Sequence, residues 1–280
     1  MKSIKIFLFI TFLFVIHSCD DSSNPVITIN SNFIYPLKVG NQWTYNASTD
    51  YLNVSPDSLK NSLINESIDL KVSITKDTLL SSNDVFEIIE ENPESSTGYG
   101  YYFNSGNGFF KSGYKGGGSV VLPKINNVKR FHYKNISFNS ITDLFKQLNG
   151  IVNQSNLLND SIIYFNQPRK VYSYPLSIGK EWIFTSDPEG PAIITKEVAG
   201  IQNVQTKVGV FECYKILWKF DFDFDGIPDN NFVYYEYVSA KGLLKTEIIS
   251  KNITLTTEDN PDSIGHADIK SERILTGVNF

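Results

Sequence analysis

From Tyr214 to Phe224 every second residue is large and apolar (Tyr214, Ile216, Trp218, Phe220, Phe222, Phe224), while Lys215, Lys219, Asp221 and Asp223 stand between them. In an extended chain successive side chains point to opposite faces, so this alternation makes one apolar face and one polar face only in a β-strand. The same phase runs through "SIDLKVSITK", where Ile68, Leu70, Val72 and Ile74 alternate with polar partners. Clusters of turn-forming residues separate such runs, among them "SSND" (81–84), "ENPESSTG" (91–98), "KGGGS" (115–119) and "SDPEGP" (186–191). The pattern predicts a mainly β fold of antiparallel meander sheets.

One phrase occurs twice. "YPLKVGNQWTY" begins at Tyr35, and "YPLSIGKEWIF" begins at Tyr174. Proline holds its own φ and pushes the preceding tyrosine into extended geometry, the glycine permits a tight turn, and the tryptophan and the aromatic two residues on share one face of the strand that follows. The phrase reads as a device for entering a strand whose aromatics plug one end of a core, and its repetition predicts two related β halves, residues 33–171 and 172–280. A single helical stretch interrupts the β pattern. In "NSITDLFKQLNG", Ile141, Leu144, Phe145 and Leu148 fall on one helix face, Ser140 and Asp143 offer an N-terminal capping pair, and Asn149-Gly150 offers a stop. A short amphipathic helix is expected there, joining the halves.

The chain opens with "MKSIKIFLFITFLFVIHSC", two lysines followed by an apolar run too short to anchor in a bilayer. Residues 1–18 therefore read as an export signal. The ending "IHSC" resembles the lipobox of bacterial lipoproteins, which implies that Cys19 is acylated, with palmitate among its chains, and becomes the first mature residue. Several acyl chains hold a protein far more firmly than one. Residues 19–32, polar at first and without periodicity, read as a flexible tether. Asp20 and Asp21 fit both a surface-export and a retention signal, so the expected location is the cell envelope, lipid-anchored at the outer membrane with the face open.

The repeated phrase, together with "GVFECYKI" (209–216) and "YEYVSAKGLLKTEI" (235–248), is similar to motifs of uncharacterised bacterial envelope lipoproteins. That resemblance implies a β-rich fold and brings no activity with it. Removing residues 1–18 takes away Lys2 and Lys5 and no acid, which moves the formal charge from −5 to −7; nucleic acid is disfavoured as a partner. Cys19 and Cys213 are the two cysteines. With the first acylated no disulfide forms, and stability must come from a core.

Catalytic signals are sparse. His132 and His266 lack metal-ligand spacing, Cys213 sits in an apolar strand context, and the glycines at 116–118 lack the ending of a phosphate loop. The sharp signal is "DFDFDGIPD", in which Asp221, Asp223, Asp225 and Asp229 occupy positions 1, 3, 5 and 9 with Gly226 at 6. Alternate carboxylates at that spacing converge on calcium in extracellular loops, with glycine making the bend. Phe232 stands where an EF-hand has its bidentate glutamate. The competing reading is an acidic hairpin turning at Asp225-Gly226. No cofactor other than calcium is implied. The expected function is binding or scaffolding of a protein or glycan ligand without catalysis; the alternative is a carrier or chaperone of lipid or lipoprotein that uses an apolar groove of a curved sheet.

Overall fold

The computed structural model describes residues 26–27, 32–63, 65–80, 83–91, 97–115, 130–134, 136–138, 162–186, 190–257 and 262–280. The expected helix at 140–148 and Cys19 lie outside these residues. In chain order the strands are β1 (Val26–Ile27), β2 (Gln42–Ser55), β3 (Glu66–Leu80), β4 (Asn83–Glu91), β5 (Gly98–Ser105), β6 (Gly108–Lys115), β7 (Arg130–Tyr133), β8 (Ile136–Phe138), β9 (Ile163–Ser173), β10 (Glu181–Thr185), β11 (Ile193–Thr206), β12 (Gly209–Asp221), β13 (Phe232–Ser239), β14 (Gly242–Thr256) and β15 (Gly265–Asn279). One 3₁₀ turn, Asp57–Ser62, follows β2.

The mainly β expectation holds. The strands form one sheet in the order β10-β11-β12-β13-β14-β15-β2-β3-β4-β5-β6-β9, curled into a nearly closed barrel. Every neighbouring pair along that path is antiparallel. β1 departs from the antiparallel pattern, pairing in parallel with Val210 and Phe211 of β12, so part of the segment read as a tether is strand. β7 pairs with β8 and with the far end of β14.

The two copies of the repeated phrase build the same turn. The Gly40 N–H donates to Ile74 O and the Ile74 N–H to Asn41 O, each at 2.9 Å; the Gly179 N–H donates to Val198 O at 2.9 Å and the Val198 N–H to Lys180 O at 3.0 Å. Both glycines have positive φ, 96° and 81°, where a side chain would be strained. Each turn launches a strand, β2 or β10, whose first aromatics are buried: Trp43 and Tyr45 in one, Trp182 and Phe184 in the other. Each indole N–H is satisfied by a distant carbonyl, Trp43 Nε1 by Lys241 O at 2.7 Å and Trp182 Nε1 by Lys170 O at 3.1 Å. The two phrases also touch, because the Tyr174 hydroxyl accepts the Tyr35 N–H at 2.8 Å.

Between β9 and β10 the ladder of backbone hydrogen bonds is replaced by side chains. Trp182 of β10 reaches Lys170 O, and Lys196 of β11 reaches past β10 to Val171 O at 3.1 Å. An edge left without ladder partners is a liability in a sheet, and here buried donors from the facing strands cover part of it.

Candidate functional site

Strand alternation defines which side chains enter the barrel, and several that do are charged. In β11 the inward series is Ile194, Lys196, Val198; in β15 it is Ile269, Ser271, Arg273, Leu275. β13 contributes Glu236 and β4 contributes Glu90 from the series Phe86, Ile88, Glu90. Ladder register lines these up. Ile216, Glu236, Thr246, Arg273 and Ala47 form one row across five strands, and Lys196, Trp218, Tyr234, Ile248, Ser271 and Thr49 form the next.

The charges are paired within this interior. Lys196 is fully buried, with its Nζ 3.2 Å from Glu236 Oε2 and 3.6 Å from the centroid of the Trp218 ring; Phe184 and Tyr172 flank it at 5.0 and 5.2 Å. Arg273 Nη1 lies 2.9 Å from Glu90 Oε2, and its guanidinium sits 4.2 Å above the Tyr45 ring. The Tyr234 hydroxyl reaches Glu236 Oε1 at 3.5 Å. Burying an ion is costly unless it is paired, and a cation gains further from an aromatic face. Lys111 differs from the others. Its Nζ lies 5.6 and 5.5 Å from the Tyr102 and Tyr114 rings, and among the described residues it has no carboxylate within salt-bridge distance.

Electrostatics follow from this enclosure. Burial pushes Lys196 down from the usual lysine range to about 8, against the pull of Glu236. Lys111 is likewise pushed down to about 8 by burial, then by the like charge of Arg169. Burial raises Tyr35, Tyr45, Tyr102, Tyr172 and Tyr234 above the ordinary tyrosine value, so their hydroxyls stay protonated. For Arg273 burial acts downward, and the Glu90 carboxylate and Tyr45 outweigh it. Rings pack between these charges: Tyr35 stacks on Phe109 at 4.3 Å, Tyr102 on Phe109 at 5.2 Å, and Phe109 on Tyr172 at 5.7 Å. Protonated hydroxyls, paired charges and stacked rings in one interior can hydrogen-bond and stack on a polar ligand.

The four aspartates have other partners. β12 ends at Asp221, whose two carboxylate oxygens accept the N–H groups of Asp225 and Gly226 at 3.3 and 2.9 Å. Phe224 and Gly226 take positive φ to make that bend. Asp225 accepts the Ile227 N–H at 2.8 Å, and Asp229 accepts the Asn231 N–H at 2.7 Å. The Lys134 ammonium, at the β7–β8 turn, lies 2.9 Å from Asp229 and also pairs with Asp223. Asp229 is held below the usual carboxylate range, burial acting upward and Lys134 with the Asn231 N–H outweighing it. Among the described residues no group of three or more His, Cys, Asp or Glu side chains is arranged to hold a metal ion. An ammonium thus spans two of the carboxylates that the calcium reading would gather.

The remaining sequence candidates are dispersed. His132 Nε2 lies 3.2 Å from Thr256 Oγ1, and His266 is exposed on β15. Cys213 is fully buried and burial pushes its thiol up to about 12, which leaves it unreactive. On the outer face, a groove of about 560 Å³ is bordered by Thr44, Asp69, Leu70, Lys71, Glu91, Thr97 and Thr276. The interior charges are not among the residues singled out from the sequence. The signal was present: Lys196 and Arg273 occupy the apolar phase of their strands.

No protein-family model and no curated protein matches the chain. Among solved structures it is similar to a presumed exported protein with a YmcC-like fold from Bacteroides fragilis, at 13% identity and a TM-score of 0.41, covering 89% of this chain and 100% of that one. It is also similar to a presumed lipoprotein from Parabacteroides distasonis, at 12% identity and a TM-score of 0.35, with the same coverage.

Proposed function

We propose that this is a cell-envelope protein, anchored at the outer membrane by acylated Cys19, that binds a small ligand inside its barrel and catalyses nothing. The observation that carries the binding reading is the placement of Lys196, Glu236, Arg273, Glu90 and Lys111 on the inward phase of their strands among stacked rings. Aliphatic side chains at those positions would avoid the desolvation cost, although Lys196 also serves the fold by supplying a donor to Val171 O. Lys111, half-buried among aromatic rings and without a carboxylate at salt-bridge distance among the described residues, favours a ligand that brings an anionic group, and the rings favour one with a flat apolar face; an acidic sugar has both. The charges argue against a lipid carrier, whose cavity would be apolar.

Two measurements test this. Cys19→Ser should move the protein from the membrane to the soluble fraction or leave it unprocessed; normal processing with full membrane association refutes the anchor. Glucuronate should raise the melting temperature in a concentration-dependent way while glucose does so weakly, and Lys111→Met should abolish the difference. Equal responses to both sugars, or none, refute the acidic-sugar reading.

A further inference from the structure

The alternating strand directions sort the connections to two ends of the barrel. β2, β4, β6, β10, β12 and β14 all start at one end, so the segment 32–41 and the connections 106–107, 174–180, 207–208 and 240–241 lie there with Phe280. The charged residues in these segments are Lys38, Lys180, Lys207 and Lys241; no aspartate or glutamate occurs in them. At the opposite end the described connections carry Asp57, Asp223, Asp225, Asp229 and Asp262 against Lys60 and Lys134. Among the described connections of this protein of net charge −5, one end is therefore basic and the other acidic.

Apolar side chains accompany the lysines. Lys38 precedes Val39, Lys207 precedes Val208, and Lys241 lies 4.7 Å from the ring of Phe280. Val39, Val208 and Phe280 are exposed, as are Ile34 at 60% and Ile178 at 64%. A lysine beside an exposed aliphatic at each of several turns is the composition that partitions into a headgroup layer, where the ammonium meets lipid phosphate and the aliphatic enters the acyl boundary. Chain length decides which end an anchor would bring down. β1 pairs with Val210 and Phe211, next to the 207–208 turn, and the seven residues from Cys19 to Val26 reach at most about 25 Å.

We infer that the lysine-bearing end of the barrel rests on an anionic lipid surface, with the acidic end facing away. This rests on the anchoring of Cys19, and fixes an orientation that anchoring alone leaves free. Lys180 also serves its own turn, donating to Tyr174 O and Pro175 O at 2.8 Å each; Lys38, Lys207 and Lys241 are the residues to test.

The test uses the full acylated protein reconstituted into vesicles of phosphatidylethanolamine and phosphatidylglycerol. A fluorophore is placed on Val208→Cys at the basic end or on Ile227→Cys at the acidic end; buried Cys213 does not compete for label. Spin-labelled lipid should quench the Val208 label at least twofold and leave the Ile227 label unchanged. Replacing Lys38, Lys207 and Lys241 by Gln should reduce that quenching, as should raising salt. Protein that floats with the vesicles while Ile227 is quenched equally or more overturns the orientation and leaves the anchor standing. Protein that does not float overturns both. Energy transfer between labelled copies at Val208 without lipid quenching assigns the end to self-association and also overturns it.

Discussion

Lys196 gives the fold a measurable pH dependence. Its ammonium is fully buried against Trp218, with Glu236 and Val171 O as partners, and burial lowers its pKa to about 8. In the unfolded chain a lysine titrates near 10.4. Because the folded value is the lower, the unfolded state binds more protons between the two, and stability rises with pH there. The cost of burying the charge is fully present below about pH 8 and is relieved as pH climbs toward 10.4. Between pH 8.5 and 9.5 the unfolded state holds about 0.8 more proton at this site, which corresponds to roughly 1 kcal/mol of added stability per pH unit, and to ~3 kcal/mol across the window. Buried tyrosines act oppositely above pH 9, since they ionise first in the unfolded chain. The comparison that isolates Lys196 is therefore wild type against Lys196→Met/Glu236→Gln, which removes the pair, keeps volume and leaves the tyrosines in place. Urea denaturation followed by tryptophan fluorescence at pH 7.5, 8.5 and 9.5 gives the difference. It should move in favour of the wild type by about 1 kcal/mol between the last two pH values. A constant difference, or one moving the other way, would refute the reading of Lys196 as a strongly desolvated ammonium.

Trp43 and Trp182 launch β2 and β10 from matched turns with matched hydrogen bonds, so truncating either to Ala should cost about 3–5 kcal/mol in denaturant unfolding; a loss under about 1 kcal/mol at one site would show that the two copies do not do the same work. The Asp221–Asp229 loop has Lys134 bridging Asp223 and Asp229. Lys134→Met leaves those carboxylates in mutual repulsion, and millimolar calcium should then raise the melting temperature more in this variant than in the wild type, with Asp225→Asn reducing the gain. Equal calorimetric response to calcium in wild type and Lys134→Met would remove the loop as a cation site.

What could be read from the sequence was local. Alternation at Tyr214–Phe224 is a property of neighbours two apart, and it delivered β12 with its buried face as far as Asp221. Phe222 and Phe224 fall in the bend that follows, Phe224 exposed and at positive φ. Gly40 and Gly179 announced turns because the phrase around them admits few other geometries, and both adopt positive φ. Pairing is a different matter. β15 lies beside β2, joining the two ends of the chain through a twelve-pair ladder, and nothing within either segment names the other, because register depends on partners far away in sequence. The same holds for the aspartates. Their spacing specified which carboxylates could converge, while the cation that reaches two of them, Lys134, is 89 residues distant from Asp223.

Partial legibility explains how the interior was missed and how such a site can be found. In "IITKEVAG" the phase set by Ile194 and Val198 puts Lys196 on the same face as both, and in "ILTGV" with its preceding "SER" the phase of Ile269 and Leu275 does the same for Arg273. A lysine or arginine that breaks a strand's apolar series must either be wrongly phased, as at a bulge, or be buried with a partner. Bulges do occur at Val198/Gly200 and Leu275/Gly277, beyond the charges in question, so the phase holds through Lys196 and Arg273. Their partners, Glu236 and Glu90, are then required by the cost of an unpaired buried ion. Lys111 is half-buried beside the Tyr102 and Tyr114 rings and has no carboxylate at salt-bridge distance among the described residues, so its ammonium is the one of these charges that an anionic group of a ligand could meet without displacing a partner.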